Sequence, residues 1–85
     1  MPGEREVTLY GKLADPVGAI VRVSDGGEGE RVGDVRRRVA ALDPRLGDLL
    51  ADPLVRAWVG GTIAEDGFVV GEGRAVEFIP VVSGG

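Results

Sequence analysis

The residues with the clearest potential for chemistry stand at the C-terminus, where Ser83 precedes Gly84 and Gly85. The sequence contains no Cys and no His, which excludes thiol nucleophiles, imidazole bases, disulfides and Cys/His zinc sites. Glycines lack a Cβ atom, so they fit a narrow channel and adopt any φ that the channel requires. A terminal carboxylate becomes a good electrophile once it is activated as an acyl-adenylate. We therefore interpret Gly85 as a group that other enzymes modify, and we assign no catalytic side chain.

The stretch before these glycines divides into an anchored strand and a tail. Strand alternation places Val76 and Phe78 on one face, where they are expected to pack under a helix. The segment 81–85 reaches about 17 Å when extended. We predict a folded domain over 1–80 and a flexible tail that inserts into a partner; the tail residues are Val81, Val82, Ser83, Gly84 and Gly85.

Length, composition and charge narrow the class of protein. Eighty-five residues suffice for one domain, and the net charge of −4 disfavours non-specific binding to nucleic acid or anionic membranes. The first residues do not resemble a signal peptide, and no apolar run is long enough to span a bilayer. We expect a cytoplasmic protein that has no bound cofactor and no metal site, and that binds neither nucleic acid nor membranes.

Periodicity predicts the elements that position the tail. Alternating apolar residues predict strands, and spacings of three and four between Val32, Val35, Val39 and Leu42 predict a helix that Pro44 closes or follows with a short second turn. The predicted strands are 6–12, 19–23, 54–59, one starting at Thr62, and 74–81, with Gly60-Gly61 as a hairpin turn. This order predicts an α+β, β-grasp (ubiquitin-like) fold, in which one main helix packs on one face of a mixed β-sheet.

The first and last predicted strands expose residues on the face away from that helix. Tyr10 and Ile79 point outward by alternation, and they become neighbours if the two strands pair as in a β-grasp sheet. We therefore expect Tyr10 and Ile79, with the adjacent Pro80, to form a partner-binding patch near the start of the tail.

Other motifs favour ordinary structural roles. The glycines between 27 and 33 suggest a flexible loop, because the chain has no room for the remaining strands of a nucleotide domain. The acidic residues of that loop lack the spacing of a calcium loop. The run Arg36-Arg37-Arg38 indicates a solvated helix face, and Trp58 a core or half-buried strand residue.

The order of these segments resembles the ubiquitin-like sulfur-carrier family, most closely the small subunit of molybdopterin synthase. The similar stretches are "VTLYGKLAD", "VGDVRRRVAAL" and "AWVGGTIAEDGFVVGEGRAVEFIPVVSGG", which together span nearly the whole chain. The resemblance implies that an ATP-dependent, E1-like enzyme adenylates Gly85 and that a persulfide donor converts it to a thiocarboxylate. It also implies that the tail enters the large subunit of molybdopterin synthase, which takes the sulfur, and that Tyr10 and Ile79 contact both partners.

Three alternatives stay open at the level of the sequence. A carrier for thiamine or another sulfur-containing metabolite would end in the same two glycines, and so would a protein modifier that forms an isopeptide bond through Gly85. A β-grasp interaction module would use no C-terminal chemistry. A stand-alone enzyme has no supporting constellation of side chains.

Overall fold

A computed structural model describes residues 3–80, so the predictions for Val81, Val82, Ser83, Gly84 and Gly85 lie outside the described residues. The described part contains two helices and five strands, in the order β-β-α-α-β-β-β. The elements are β1 (Glu4–Leu9), β2 (Ile20–Ser24), α1 (Val32–Ala40), α2 (Pro44–Leu50), β3 (Arg56–Val59), β4 (Thr62–Ala64) and β5 (Val76–Ile79).

The five strands form one mixed sheet in the order β2-β1-β5-β3-β4. The two central strands, β1 and β5, run parallel, and every other pair is antiparallel. A parallel pair needs a long crossover connection, which the helical segment between β2 and β3 provides. This is the predicted β-grasp arrangement, and it puts the strand that leads to the C-terminus in the middle of the sheet.

One face of the sheet carries the hydrophobic core. Val32, Val35 and Val39 of α1 are fully buried, as spacings of three and four predict for one side of a helix. Val76 and Phe78 of β5 are also 0% exposed, which confirms the predicted anchoring of the last strand. The other apolar residues of this core from the central strands and α2 are Val7, Leu9, Leu46 and Leu50.

The prediction that Leu42 belongs to the apolar face of the first helix is wrong. The helix ends at Ala40, and Leu42 is 47% exposed. A residue before proline is driven to extended backbone, and Asp43 has φ −159° and ψ 134°. The Asp43 carboxylate then accepts a hydrogen bond from the Arg45 amide at 2.8 Å and caps α2. The short second turn predicted after Pro44 is therefore a separate helix with its own N-terminal cap.

Strand ends differ from the predicted ones, most usefully after β1. The first strand stops at Leu9, and a 3-10 helical turn over Gly11–Ala14 follows, in which Leu13 is buried. Gly11 has φ 56°, a conformation that favours glycine and turns the chain out of the strand. The strands predicted over 19–23, 54–59 and 74–81 are observed as β2, β3 and β5, with ends shifted by one or more residues.

The Gly60-Gly61 hairpin is confirmed. Both glycines have positive φ, 59° and 80°, as a two-residue turn of this kind requires. The turn pairs Val59 with Thr62 and Trp58 with Ile63. It therefore sets which side chains of β3 and β4 share a face.

The interpretation of the arginine run as a solvated face fails for Arg36. Its side chain is 19% exposed, and its guanidinium donates to Asp66 at 3.1 Å and to the carbonyl of Leu50 at 3.2 Å. The same group lies 5.1 Å from the centroid of the Phe78 ring, a cation–π geometry. Arg37, by contrast, is 75% exposed, as predicted.

Arg5 is fully buried and has two buried carboxylate partners. Its Nε donates to Glu30 at 3.0 Å, and its Nη2 donates to Asp25 at 3.0 Å. The side chains of Asp25 and Glu30 are 4% and 2% exposed. Arg38 of α1 forms a further ion pair with Glu30. We call Arg5, Asp25, Glu30 and Arg38 the Arg5 cluster.

The Arg5 cluster ties the glycine-rich loop to the chain that leads into β5. Arg5 donates to the carbonyl of Arg74, and the Gly73 amide donates to Asp25 at 2.6 Å. The loop that the glycines suggested to be flexible is therefore held at both of its buried carboxylates. These contacts position the start of the last strand.

The Asp25 carboxylate makes the free energy of unfolding depend on pH in the acid range. Hydrogen bonds from the amides of Gly27 and Gly73, with the charge of Arg5, hold the pKa of Asp25 below its usual value. The stabilisation is complete above the unfolded pKa of about 3.9 and is lost as the pH falls through the lower folded value. We expect Asp25→Asn to unfold at lower urea concentration than wild type at pH 7, and the difference to shrink below about pH 3.9.

Urea midpoints measured from pH 7 down to acid check this expectation. Glu28→Gln removes one charge from an exposed residue of the same loop and serves as the control. A difference between wild type and Asp25→Asn that stays constant over the whole pH range contradicts the proposed role of the Asp25 carboxylate.

Candidate functional site

The last described residue, Pro80, leaves the sheet beside the turn that follows β1. The Tyr10 amide donates to the Phe78 carbonyl at 3.2 Å, which extends the pairing of the central strands. A Cβ atom placed on Gly11 would lie 3.3 Å from Pro80 Cγ, so the backbone of Gly11 packs closely against the proline ring. The C-terminal end of β5 is therefore held against the turn that follows β1.

Tyr10 and Ile79 lie on the outer face of the sheet, away from the helices, as alternation predicted. Leu9 pairs with Phe78 in the parallel ladder, so the next residues, Tyr10 and Ile79, lie side by side. Tyr10 is 42% exposed and Ile79 is half-buried. We call Tyr10, Ile79 and Pro80 the Tyr10–Ile79 patch. Its role in binding a partner stays a prediction.

A hydrogen bond orients the aromatic ring in this patch. The Tyr10 hydroxyl donates to the carboxylate of Glu77, which lies on the same outer face. That bond, with the nearby negative charge, raises the pKa of Tyr10 above its usual value. The phenol therefore stays neutral near pH 7 and presents its ring beside Ile79.

The outer face is more apolar than the sequence reasoning proposed. Trp58 is half-buried opposite Glu77, and Ile63 of β4 is opposite Trp58 and 53% exposed. Ile20 of β2, opposite Thr8, is 59% exposed on the other side. The Gly60-Gly61 hairpin sets the pairing of Trp58 with Ile63, but the position of Trp58 opposite Glu77 depends on the register of β3 against β5. Apolar side chains therefore extend beyond the Tyr10–Ile79 patch to both edge strands, with Thr8 and Glu77 between them and Arg56 opposite Ile79.

Neither of two grooves in the described residues is lined by Tyr10, Ile79 or Pro80. One is lined by Gly26, Gly29, Glu30, Asp34, Arg37 and Arg38, and its charged groups form ion pairs with one another. Within 3–80, no three His, Cys, Asp or Glu side chains are grouped so as to hold a metal ion.

Neither helix of the described range 3–80 has the length and apolar character needed to cross a membrane.

Comparison with known proteins identifies relatives by sequence family and by structure. The model of the ThiS family matches residues 7–85. A crystal structure of SAMP1 from Haloferax volcanii is 27% identical, with a TM-score of 0.82, and the match covers 98% of this chain and 100% of that one.

Two further solved structures share the fold at lower identity. The H. volcanii small archaeal modifier protein 1 is 24% identical, with a TM-score of 0.80 and coverage of 94% of this chain and 99% of that one. The ubiquitin of Caldiarchaeum subterraneum is 18% identical, with a TM-score of 0.54 and coverage of 98% and 100%. No curated protein gives a significant match. These structures confirm the ubiquitin-like β-grasp fold.

Proposed function

Because this chain belongs to the ThiS family of ubiquitin-like sulfur carriers, we propose that it carries sulfur as a thiocarboxylate on Gly85 and donates it in molybdopterin synthesis. The observation that carries the sulfur-carrier role is the extent of the family match, which runs from residue 7 through both terminal glycines. The assignment to molybdopterin synthesis rests on the resemblance to the small subunit of molybdopterin synthase. The absence of Cys supports it, since sulfur then has no side chain on which to travel.

The proposed chemistry uses the chain as a substrate. A carboxylate oxygen of Gly85 attacks the α-phosphorus of ATP in an E1-like enzyme, and pyrophosphate leaves. The terminal sulfur of a persulfide then attacks the acyl carbon and expels AMP. Cleavage of the sulfur–sulfur bond by a thiol leaves the thiocarboxylate on Gly85. In the acceptor, which we propose to be the large subunit of molybdopterin synthase, the thiocarboxylate sulfur bonds to a pterin precursor. Water then cleaves the bond between that sulfur and the Gly85 carbonyl carbon and restores the carboxylate.

The fold supports this role through the position of the Tyr10–Ile79 patch. An enzyme that acts on Gly85 must hold the chain close to the start of the tail, where Pro80 packs on Gly11. Tyr10 and Ile79 offer apolar area at that place, with one ring oriented by Glu77. We propose that the activating enzyme and the acceptor bind the same patch in turn.

A second candidate function, conjugation of Gly85 to lysines of other proteins, is favoured by one observation. The chain is 27% identical to SAMP1 over nearly its full length, and the related structure bears the name small archaeal modifier protein. Carriers for thiamine or another sulfur-containing metabolite share the first chemical steps with the leading proposal. All of these functions require activation of Gly85.

Intact-mass measurement on protein purified from its host separates these functions. A mass increase equal to the replacement of one oxygen by sulfur supports a carrier. Transfer of that sulfur to a pterin precursor by the large subunit of molybdopterin synthase supports the specific pathway. Adducts on other proteins, without any thiocarboxylate, would instead support a modifier.

We predict that Gly85→Ala folds like wild type and loses sulfur loading. The added methyl group obstructs a channel shaped for glycine, whereas a terminal residue contributes little to the core. Thiocarboxylate is measured by intact mass and stability by thermal unfolding. Gly67→Ala is the matched control, because its new Cβ has no neighbour within 4 Å. Normal loading of Gly85→Ala, or a thermal midpoint lower by several degrees, contradicts the account.

A further inference from the structure

Lys12 is the only lysine in the sequence, and all other basic residues are arginines. It lies in the 3-10 helical turn Gly11–Ala14 and is exposed. Within residues 3–80, its side chain has no hydrogen-bond or ion-pair partner. The chain therefore presents a single ε-amino group, and that group is accessible.

An ε-amine is a nucleophile that can react with a C-terminus activated as an acyl-adenylate. A deprotonated amine attacks such a carbonyl and forms a stable amide. Arginine guanidinium groups are always charged in proteins and are not nucleophiles, so they do not compete. With no cysteine in the sequence, Lys12 is the side chain best suited to capture the activated acyl group.

The position of Lys12 connects this amine to the Tyr10–Ile79 patch. Lys12 directly follows Gly11, whose backbone packs against Pro80. The Leu13 amide donates to the Tyr10 carbonyl at 3.1 Å, so the turn that holds Lys12 begins at a residue of the patch. An enzyme docked on the patch therefore shields the lysine of the copy that it activates. A second, undocked copy keeps its lysine free.

We propose that Lys12 is the site at which the activated C-terminus of a second copy of this chain is attached. The Lys12 nitrogen bonds to the Gly85 carbonyl carbon of the adenylated copy, AMP leaves with the electrons of the broken bond, and the nitrogen releases a proton. The product is an isopeptide-linked pair. Because each copy offers one ε-amine, further additions give an unbranched polymer. The inference rests on the proposed activation of Gly85.

The attached copy also has a consequence for docking. It lies at the border of the Tyr10–Ile79 patch of the copy whose Lys12 is modified. That modified copy therefore binds the activating enzyme less well than the monomer does. Self-attachment at Lys12 thus removes a copy from the pool available for activation.

The test compares wild type, Lys12→Arg and the double variant Lys12→Arg/Arg22→Lys, each incubated with ATP and the activating enzyme of the same host. Wild type should give a species of twice the 8.8 kDa chain less one water. Lys12→Arg should lose it, and Arg22→Lys should not restore it, although the Arg22 side chain is 57% exposed. Trypsin should release the peptide 6–22, uncut at Lys12 and bearing the segment 75–85.

Pyrophosphate exchange with ATP reports the activation of Gly85 in the same samples. Exchange without any conjugate overturns the inference and leaves the proposed function standing. A conjugate at the N-terminal amine, a monomer that has lost one water, or restoration by Arg22→Lys also overturns it. Absence of exchange in every variant refutes the activation itself, and with it the proposed function.

Discussion

Replacing Arg5 by Met is expected to lower the free energy of unfolding by about 3–5 kcal/mol. Arg5 is fully buried, and it holds Glu30 at 3.0 Å and Asp25 at 3.0 Å. Methionine fills much of the same volume but leaves these carboxylates without their shared cation. The carbonyl of Arg74 also loses its donor. Urea unfolding at pH 7, followed by circular dichroism, measures the loss.

Two variants show whether the loss comes from unpaired buried charge. Arg22→Met removes the same charge from an exposed pair with Glu6 and should cost less than about 1 kcal/mol. Combining Arg5→Met with Asp25→Asn and Glu30→Gln removes both carboxylate charges and should restore part of the stability. If the triple variant is no more stable than Arg5→Met, packing of the arginine stem rather than charge pairing explains the effect.

The β-grasp fold could be predicted because its signals are local. Alternation gave the strands, the spacing of Val32, Val35 and Val39 gave the helix, and Gly60-Gly61 gave the hairpin. Leu42 was misplaced because its spacing fits a helix that the extended backbone of Asp43 before Pro44 interrupts. The spacing of apolar residues does not indicate such a break. The break is predicted only when the extended backbone required of the residue before proline is given more weight than the spacing.

Arg5 and Arg36 could not be predicted, because their partners are distant in sequence. Arg5 meets Asp25, Glu30 and Arg74 only after the chain has folded. Arg36 resembles its exposed neighbour Arg37 in sequence, yet it is held by Asp66 and the carbonyl of Leu50. The residues next to an arginine in the sequence therefore do not indicate which carbonyls or carboxylates it contacts in the folded protein.

The patch at the start of the tail was predictable in part. Tyr10 and Ile79 follow from alternation once the first and last strands are taken as neighbours, and the ladder between β1 and β5 confirms that they are. The extension through Trp58 and Ile63 requires the register of β3 against both of its neighbours. Register between distant strands depends on the whole sheet, which explains why the extension was missed.

Ile79→Asp is expected to weaken binding to the activating enzyme by about 2 kcal/mol, or roughly thirtyfold in Kd. Ile79 lies beside Tyr10 and one residue before Pro80, where a partner that reaches Gly85 must approach. A carboxylate there puts charge into an apolar contact and leaves it desolvated in the complex. Since Ile79 is half-buried on the outer face, the monomer should lose only about 1 kcal/mol of stability.

Ile63→Asp supplies the matched control for this prediction. It makes the same substitution on the same face, but on the edge strand β4, two strands away from β5 or about 10 Å. Calorimetry with the activating enzyme should find its Kd close to that of wild type. If both variants weaken binding to the activating enzyme equally, the interface extends across the whole outer face. A large loss of monomer stability by Ile79→Asp, with wild-type affinity for each folded molecule, would make Ile79 a residue of the fold and place the docking surface elsewhere.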